Sequence, residues 1–347
     1  MSKKEQQIKC VVWDLDNTVW QGVLLEDKKV KLNDNVSTVM HELDKRGILQ
    51  SIASKNDHED AMAKLREYGL SEYFLYPQIN WEPKSTSINQ IAKDINIGVD
   101  TIAFIDDQQF ELDEVAFSLP KVLTVNANCI NNILGMSEFM PRFITEDSRI
   151  RRQMYQSDIM RNDLEKSFAG TKEDFLKTLD MKLTVSLATE NDLQRAEELT
   201  VRTNQLNTTG YTYSYEQLKY FGTSSSHVLL IAELEDKYGP YGKIGLVLLE
   251  KNKSEWRVKL LLMSCRVMSR GVGSVLIHYI RQAAKKHNVK LTAEFIPTDR
   301  NRMMYMTYKF TNFIEKEEQK DFTLFENDLS IIPTLPNYLQ FIDNASI

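Results

Sequence analysis

Val11-Val12-Trp13-Asp14-Leu15-Asp16-Asn17-Thr18 decides how the first half of this 347-residue chain is read. An apolar run closed by an acidic turn reads as a buried strand that delivers its C-terminal end to a site. Two Asp two residues apart put one carboxylate at the strand tip and a second just past it. Phosphoryl transfer needs such a pair: one carboxylate to attack phosphorus, another to move the leaving-group proton, with Mg²⁺ between them and the phosphate. The same letters also suit a plain strand-end turn, because Asp and Asn are common there.

Three later segments bear on that choice. Ile48-Leu49-Gln50-Ser51-Ile52-Ala53-Ser54-Lys55-Asn56 reads as a second strand ending in hydroxyl-bearing Ser54, suited to a phosphate oxygen. Trp81-Glu82-Pro83-Lys84-Ser85 sets Lys84 at a Pro-marked helix start, where its ammonium can screen phosphate and the paired carboxylates. Thr101-Ile102-Ala103-Phe104-Ile105-Asp106-Asp107-Gln108 is another apolar strand, and its two terminal acids suit a hard cation such as Mg²⁺. In this order the segments resemble the four motifs of the haloacid dehalogenase (HAD) superfamily. The resemblance implies that Asp14 is the nucleophile and Asp16 the general acid/base. It further implies that Thr18, Ser54 and Lys84 hold the phosphoryl group, and that Asp14, Asp16, Asp106 and Asp107 make the Mg²⁺ site.

Between Asp16 and Ser54 there is room for a short flap (Val19 to Leu32) and one helix near Val36 to Arg46. Each of the next two gaps, Ser54 to Lys84 and Lys84 to Asp106, holds about one βα unit at ordinary loop and helix lengths. No gap accommodates an inserted cap domain. Residues 1–145 are therefore expected to form a capless HAD-like, doubly wound parallel sheet. Its open site implies a large substrate, or cover from the second half of the chain.

An apolar share of 42% and a charged share of 27% are ordinary for a globular protein. The net charge of −6 gives no global sign of nucleic-acid binding. Three widely spaced cysteines (Cys10, Cys129, Cys265) fit a reducing compartment and no zinc site. The start Met-Ser-Lys-Lys-Glu-Gln-Gln lacks an apolar core, and no stretch approaches the ~20 apolar residues of a membrane span. The expectation is a cytosolic protein that engages neither membrane nor nucleic acid.

Residues 146–180 read as charged connecting helices with a break at Ala169-Gly170-Thr171. From Met181 strands and helices alternate again, with a hairpin expected across Lys251-Asn252-Lys253 and an amphipathic helix from Val272 to His287. Arg270-Gly271-Val272-Gly273 is a Gly turn opening that helix, where free backbone N–H groups and the helix dipole suit a phosphate, though a tight turn needs the same residues. With Asn301, Tyr305 and Tyr308 further on, the pattern over 181–332 resembles the GCN5-related N-acetyltransferase (GNAT) fold, an α/β domain. Its Gly loop holds the pyrophosphate of acyl-CoA. Met268 stands where that loop usually has Arg or Gln, so the phosphate of a carrier protein's phosphopantetheine arm is the expected ligand of Gly271 and Gly273. Residues 333–347 are read as a C-terminal tail.

Cys265, in Met263-Ser264-Cys265-Arg266-Val267, ends the strand before this turn. Arg266, Arg270 and a nearby helix start would favour its thiolate; a small buried core residue is the alternative. Together, the capless HAD core, Ser-Cys-Arg-Val before a Gly turn, and Val201-Arg202-Thr203-Asn204-Gln205-Leu206-Asn207 are similar to the FkbH-like glyceryl transferase/phosphatase family. The likeness spans about Ile8 to Ile332. It implies that a three-carbon unit is taken from 1,3-bisphosphoglycerate, phosphate is removed, and D-glyceryl is loaded onto an acyl carrier protein for polyketide-type biosynthesis. On this reading Cys265 carries the acyl thioester, and Asn204 and Arg266 bind substrate. Helix C-capping is the other role open to the Asn residues. The competing readings are a phosphatase fused to an acetyl-CoA-dependent acetyltransferase, or to a non-catalytic carrier-binding module.

Overall fold

Cys10–Trp13 (β1) is buried at every position, the pattern of a strand covered on both faces. The computed structural model describes residues 6–27, 29–319 and 321–347. Met1–Glu5, part of the start read above, Lys28, within the sequence span read as a flap, and Lys320 lie outside the described residues. After β1 come Trp20–Gln21 (β2) and Lys31–Leu32 (β3), paired as a small antiparallel hairpin that forms the expected flap. Val36–Lys45 (α1) follows, burying Val36, Val39, Met40 and Leu43, an i, i+3, i+4, i+7 stripe. Next are Leu49–Ser54 (β4), His58–Glu67 (α2), Gln78–Ile79 (β5), Lys84–Ile95 (α3), Ile102–Asp106 (β6), Gln109–Ser118 (α4) and Leu123–Asn126 (β7).

These strands pair in parallel in the order β5-β4-β1-β6-β7. The chain runs outward from β1 to one edge, then crosses back to build the other. With right-handed crossovers, that reversal sends helices to both faces and leaves a crevice at the strand C-termini beside β1. This is the doubly wound α/β sheet that the sequence implied. Asp14 and Asp106 end neighbouring strands there.

Glu146–Arg149 (α5) and Arg151–Ser167 (α6) continue the chain, and the division into two units, Met1–Gln156 and Ser157–Ile347, falls within α6. The stretch 146–180 is thus shared between the units and is not a separate connector. Arg151 donates to the Gly47 carbonyl (2.8 Å) and Arg152 pairs with Asp44 (3.0 Å) in the first unit. In the second, the buried Arg161 makes a two-pronged contact with Asp236, 2.8 Å at each prong.

The second unit continues with Lys172–Lys177 (α7), Met181–Leu187 (β8), Leu193–Arg202 (α8), Tyr215–Thr223 (α9), His227–Asp236 (β9), Gly239–Lys251 (β10) and Glu255–Met263 (β11). Val272–Lys286 (α10), Lys290–Phe295 (β12), Arg302–Phe310 (α11), Phe313–Glu318 (β13), Thr323–Asn327 (β14) and Leu339–Asp343 (β15) complete it. Its sheet runs β13-β14-β12-β11-β10-β9-β8-β15. The β10–β11 hairpin turns where the sequence placed it, with Asn252 accepting from the Ser254 and Glu255 amides. The segment read as a tail instead supplies β15, paired in parallel with β8 from Leu339↔Met181 to Asp343↔Val185. Tyr279 of α10 fastens it by donating to Asp343 at 2.7 Å.

Candidate active site

Parallel register builds the carboxylate site. Trp13 pairs with Ile105, so the next residues, Asp14 and Asp106, emerge side by side; the Asp14 amide donates to the Ile105 carbonyl at 2.9 Å. Asp14, Asp106 and Asp107 bring one carboxylate oxygen each within 4.8 Å of one another. Lys84, the first residue of α3, extends its ammonium into this group. It donates to Asp14 Oδ1 in a very short contact, donates to the Ala53 carbonyl at 2.8 Å, and lies 3.4 Å from Asp106 Oδ2. Ser54, buried at the end of β4, also hydrogen-bonds Asp14.

Burial pushes Asp14 up from the ordinary carboxylate value, with Lys84 opposing. Burial and the Asp14 charge together lift Asp106 from 3.8 to about 7. Asp107 is raised by the same two causes. Burial alone would lower the Lys84 ammonium, but Asp14 and Asp106 outweigh it and hold it above its usual value. One ammonium among three clustered carboxylates leaves negative charge uncompensated in a poorly solvated space.

The residues fit a divalent cation. Asp106 Oδ2 and Asp107 Oδ1 are buried carboxylate oxygens, the first held by Lys84 at 3.4 Å and the Asp107 carboxylate by the Thr18 hydroxyl, and an all-oxygen donor set suits Mg²⁺. Asp14, Asp106 and Asp107 would hold the ion.

A pH dependence follows for the metal-free protein. Between about pH 4 and 7 the folded state keeps a proton on Asp106 that the unfolded chain has released, so stability falls as pH rises through that window. In EDTA the melting temperature is expected to drop from pH 5 to pH 7.5. Added Mg²⁺ should restore it at pH 7.5 and do much less at pH 5, with affinity rising roughly tenfold per pH unit for one displaced proton. A melting temperature flat across this window in EDTA would contradict the site.

Asp16 does not join the ligand group. Its Oδ1 accepts from Trp20 Nε1 (2.7 Å) and the Leu24 amide (3.1 Å), and Oδ2 accepts from Asn56 Nδ2 (3.0 Å). The flap therefore holds the carboxylate that the sequence reading had also placed on the metal. Asn17 makes the tight turn behind it in the left-handed region (φ 53°), a conformation Asn tolerates better than most residues. Asn56, buried and bonded to Asp16, is a site residue that the sequence reading missed. Its only sequence signal is its place two residues beyond Ser54.

In the second unit Cys265 is half-buried and opens a short 3₁₀ turn, Cys265–Val267, just past the end of β11. Its neighbouring arginines are engaged. Arg270 is buried and pairs with Glu165 at 2.7 Å, and Arg266 donates to the Tyr241 carbonyl at 2.6 Å. The expected help from Arg270 toward a thiolate is offset by Glu165. Each glycine of the turn has a packing reason of its own. Gly271 lies at φ 73°, and a Cβ there would collide with the Tyr338 hydroxyl; at Gly273 a Cβ would lie 2.6 Å from Met263 Cε.

Asn204 is half-buried just beyond α8. The segment after it is a wedge. β11 and β12 pair only from Glu255↔Lys290 to Val258↔Ala293, and beyond that point residues 206–208 take over the bonding. Met263 N donates to Leu206 O (2.9 Å), Thr208 N to Leu261 O (3.0 Å), Leu261 N to Thr208 Oγ1 (3.0 Å) and Ile296 N to Thr208 O (3.0 Å). Asn301 locks the wedge, donating to Asn207 O and Ile296 O at 2.9 Å each and accepting from Thr298 N. Asn301→Ala leaves these buried groups unpaired, and the expected loss in urea unfolding is about 2–4 kcal/mol. A loss below about 0.5 kcal/mol would show that the segment does not depend on Asn301.

No protein-family model matches the chain, and no curated protein matches it. Solved structures do. The N-terminal part of a Bacteroides fragilis protein, containing a phosphatase domain and complexed with Mg, is 28% identical, with a TM-score of 0.32. That match covers 35% of this chain and 36% of the other, so the chain spans about a third of the solved chain's length. PaiA N-acetyltransferase from Thermoplasma acidophilum, in complex with coenzyme A, is 14% identical over 42% of this chain and 98% of its own, with a TM-score of 0.35. The GNAT domain of S. lividans PAT is 18% identical over 41% of this chain and 88% of its own, with a TM-score of 0.33. The chain's structural neighbours thus include a phosphatase domain and acetyltransferases. Among the described residues, no helix is long and apolar enough to cross a membrane.

Proposed function

We propose that the first unit is a Mg²⁺-dependent phosphomonoester hydrolase with Asp14 as nucleophile. The observation that carries this reading is the buried group of Asp14, Asp106 and Asp107 around Lys84. A bound Mg²⁺ supplies charge neutralisation for phosphate and the carboxylates. Asp14 attacks phosphorus, the P–O bond to the leaving alcohol breaks, and an aspartyl phosphate forms that water then hydrolyses. Lys84 and Ser54 are placed to hold phosphoryl oxygens. Asp16 is the acid/base, reaching the leaving oxygen when it gives up one of its flap contacts.

The second unit, on the same proposal, receives the acyl group. The Cys265 thiolate displaces phosphate from the acyl phosphate of 1,3-bisphosphoglycerate, so an S–C bond forms and a C–O bond breaks without need of ATP. A carrier protein's pantetheine thiol then takes the acyl group from Cys265, giving a glyceryl thioester once the 3-phosphate is removed. The half-buried position of Cys265, in the short segment that leads from β11 to α10, supports the assignment. Phosphate release with Mg²⁺ present, together with intact-mass analysis of protein and carrier, tests both halves. No Mg²⁺-dependent release overturns the first, and an unloaded carrier overturns the second.

A further inference from the structure

Three large apolar side chains stand exposed on segments next in sequence to the carboxylate site. Trp81 is 68% exposed, Phe110 74% and Leu25 50%. Trp81 sits three residues before Lys84, in a loop pinned by the Asn80 amide to the Ser54 carbonyl (3.0 Å) and by the Glu82 amide to Asn80 Oδ1 (2.9 Å). Phe110 is the second residue of α4, three after Asp107, beyond a turn fixed by the Gln108 amide on Asp106 Oδ1 (2.8 Å). Leu25 follows Leu24, whose amide binds Asp16. The sheet order puts these loops on both flanks of β1, at the edge where its strands end.

A single exposed apolar residue is ordinary on a protein surface. Three on separate segments, each within three residues of a residue that builds or holds the carboxylate site, suggest a shared role there. We infer that Trp81 and Phe110, with Leu25, grip the body of the phosphate ester, so that the site acts on a phosphate carried by a long or aromatic arm in preference to a free three-carbon phosphate. This rests on the phosphatase reading above and deepens it. A three-carbon ester has no apolar part for an indole or phenyl ring to hold. A phosphoglyceryl group on a pantetheine arm does have such a part. With the acyl-transfer reading added, such a collar favours removing phosphate after the acyl group has reached the arm.

The test compares three esters with Mg²⁺: 3-phosphoglycerate, 3-phosphoglyceryl-S-pantetheine and 1-naphthyl phosphate. The wild-type protein is expected to show kcat/KM at least tenfold higher for the two esters with large bodies. Trp81→Ala and Phe110→Ala should each lower that value roughly tenfold, mainly through KM, as loss of one aromatic contact implies, and leave 3-phosphoglycerate unchanged. Trp81→Phe should recover part of the loss. Phe117→Ala is the control, since Phe117 is 90% exposed on the same helix but two turns from the site, and it should change nothing. Equal losses on all three esters, no loss, or a wild-type preference for 3-phosphoglycerate overturns the collar while the phosphatase stands. If the wild type hydrolyses none of the esters, the phosphatase reading falls, and the collar with it.

Discussion

Asp14→Asn is expected to reduce phosphate release by on the order of ten-thousandfold or more, the scale seen when a covalent nucleophile is removed. The amide keeps the shape of the carboxylate but cannot attack phosphorus, so no aspartyl phosphate should be trapped on the variant. The fold should survive. In EDTA at pH 7.5 the melting temperature should not fall, because one clustered charge is gone and Lys84 retains Asp106 at 3.4 Å. Stabilisation by Mg²⁺ should shrink, since one charged carboxylate donor in the group becomes a neutral amide oxygen. Phosphate release at the wild-type rate from metal-loaded Asp14→Asn would refute the nucleophile assignment.

Cys265→Ala is expected to lose the acyl adduct entirely and to slow carrier loading by on the order of a thousandfold. Incubation of the wild-type protein with 1,3-bisphosphoglycerate should add one phosphoglyceryl-sized or glyceryl-sized mass, removable by hydroxylamine as a thioester is. Cys10→Ala and Cys129→Ala should keep both adduct and loading. Cys10 is fully buried in β1, where burial pushes its thiol well up from its ordinary value and away from the reactive form. Cys129 is exposed in the first unit, remote in sequence from the β11–α10 junction. The Mg²⁺ response of the first unit should be unchanged in Cys265→Ala. Loading at the wild-type rate by that variant would mean direct transfer to the carrier, with no covalent enzyme intermediate.

Much of the first unit was legible in the chain itself. Val11–Trp13 and Ile102–Ile105 are short apolar runs closed by polar residues, Ile48–Ala53 is a mainly apolar run closed by Ser54, and each became a buried parallel strand. Because strand and polar terminus are contiguous, reading the strand also located Asp14, Ser54 and Asp106. The capless spacing and the flap were equally local, as a hairpin of two-residue strands replaced any inserted domain. In the second unit the β10–β11 hairpin and α10 declared themselves through a turn signal and a helical apolar stripe.

Contacts distant in sequence were decided by tertiary structure alone. No local pattern indicated that Asn56 would bond Asp16 across 40 residues and keep its carboxylate in the flap. Nothing near Arg270 disclosed Glu165, 105 residues away, which takes up the charge that the sequence placed beside Cys265. Residues 339–343 became the β8 edge partner, and residues 206–208 filled the opening between β11 and β12. Periodicity and turn chemistry report what a segment prefers over a few residues. Which buried donor meets which acceptor depends on satisfying every polar group at once after the core has closed, and only the folded chain settles that.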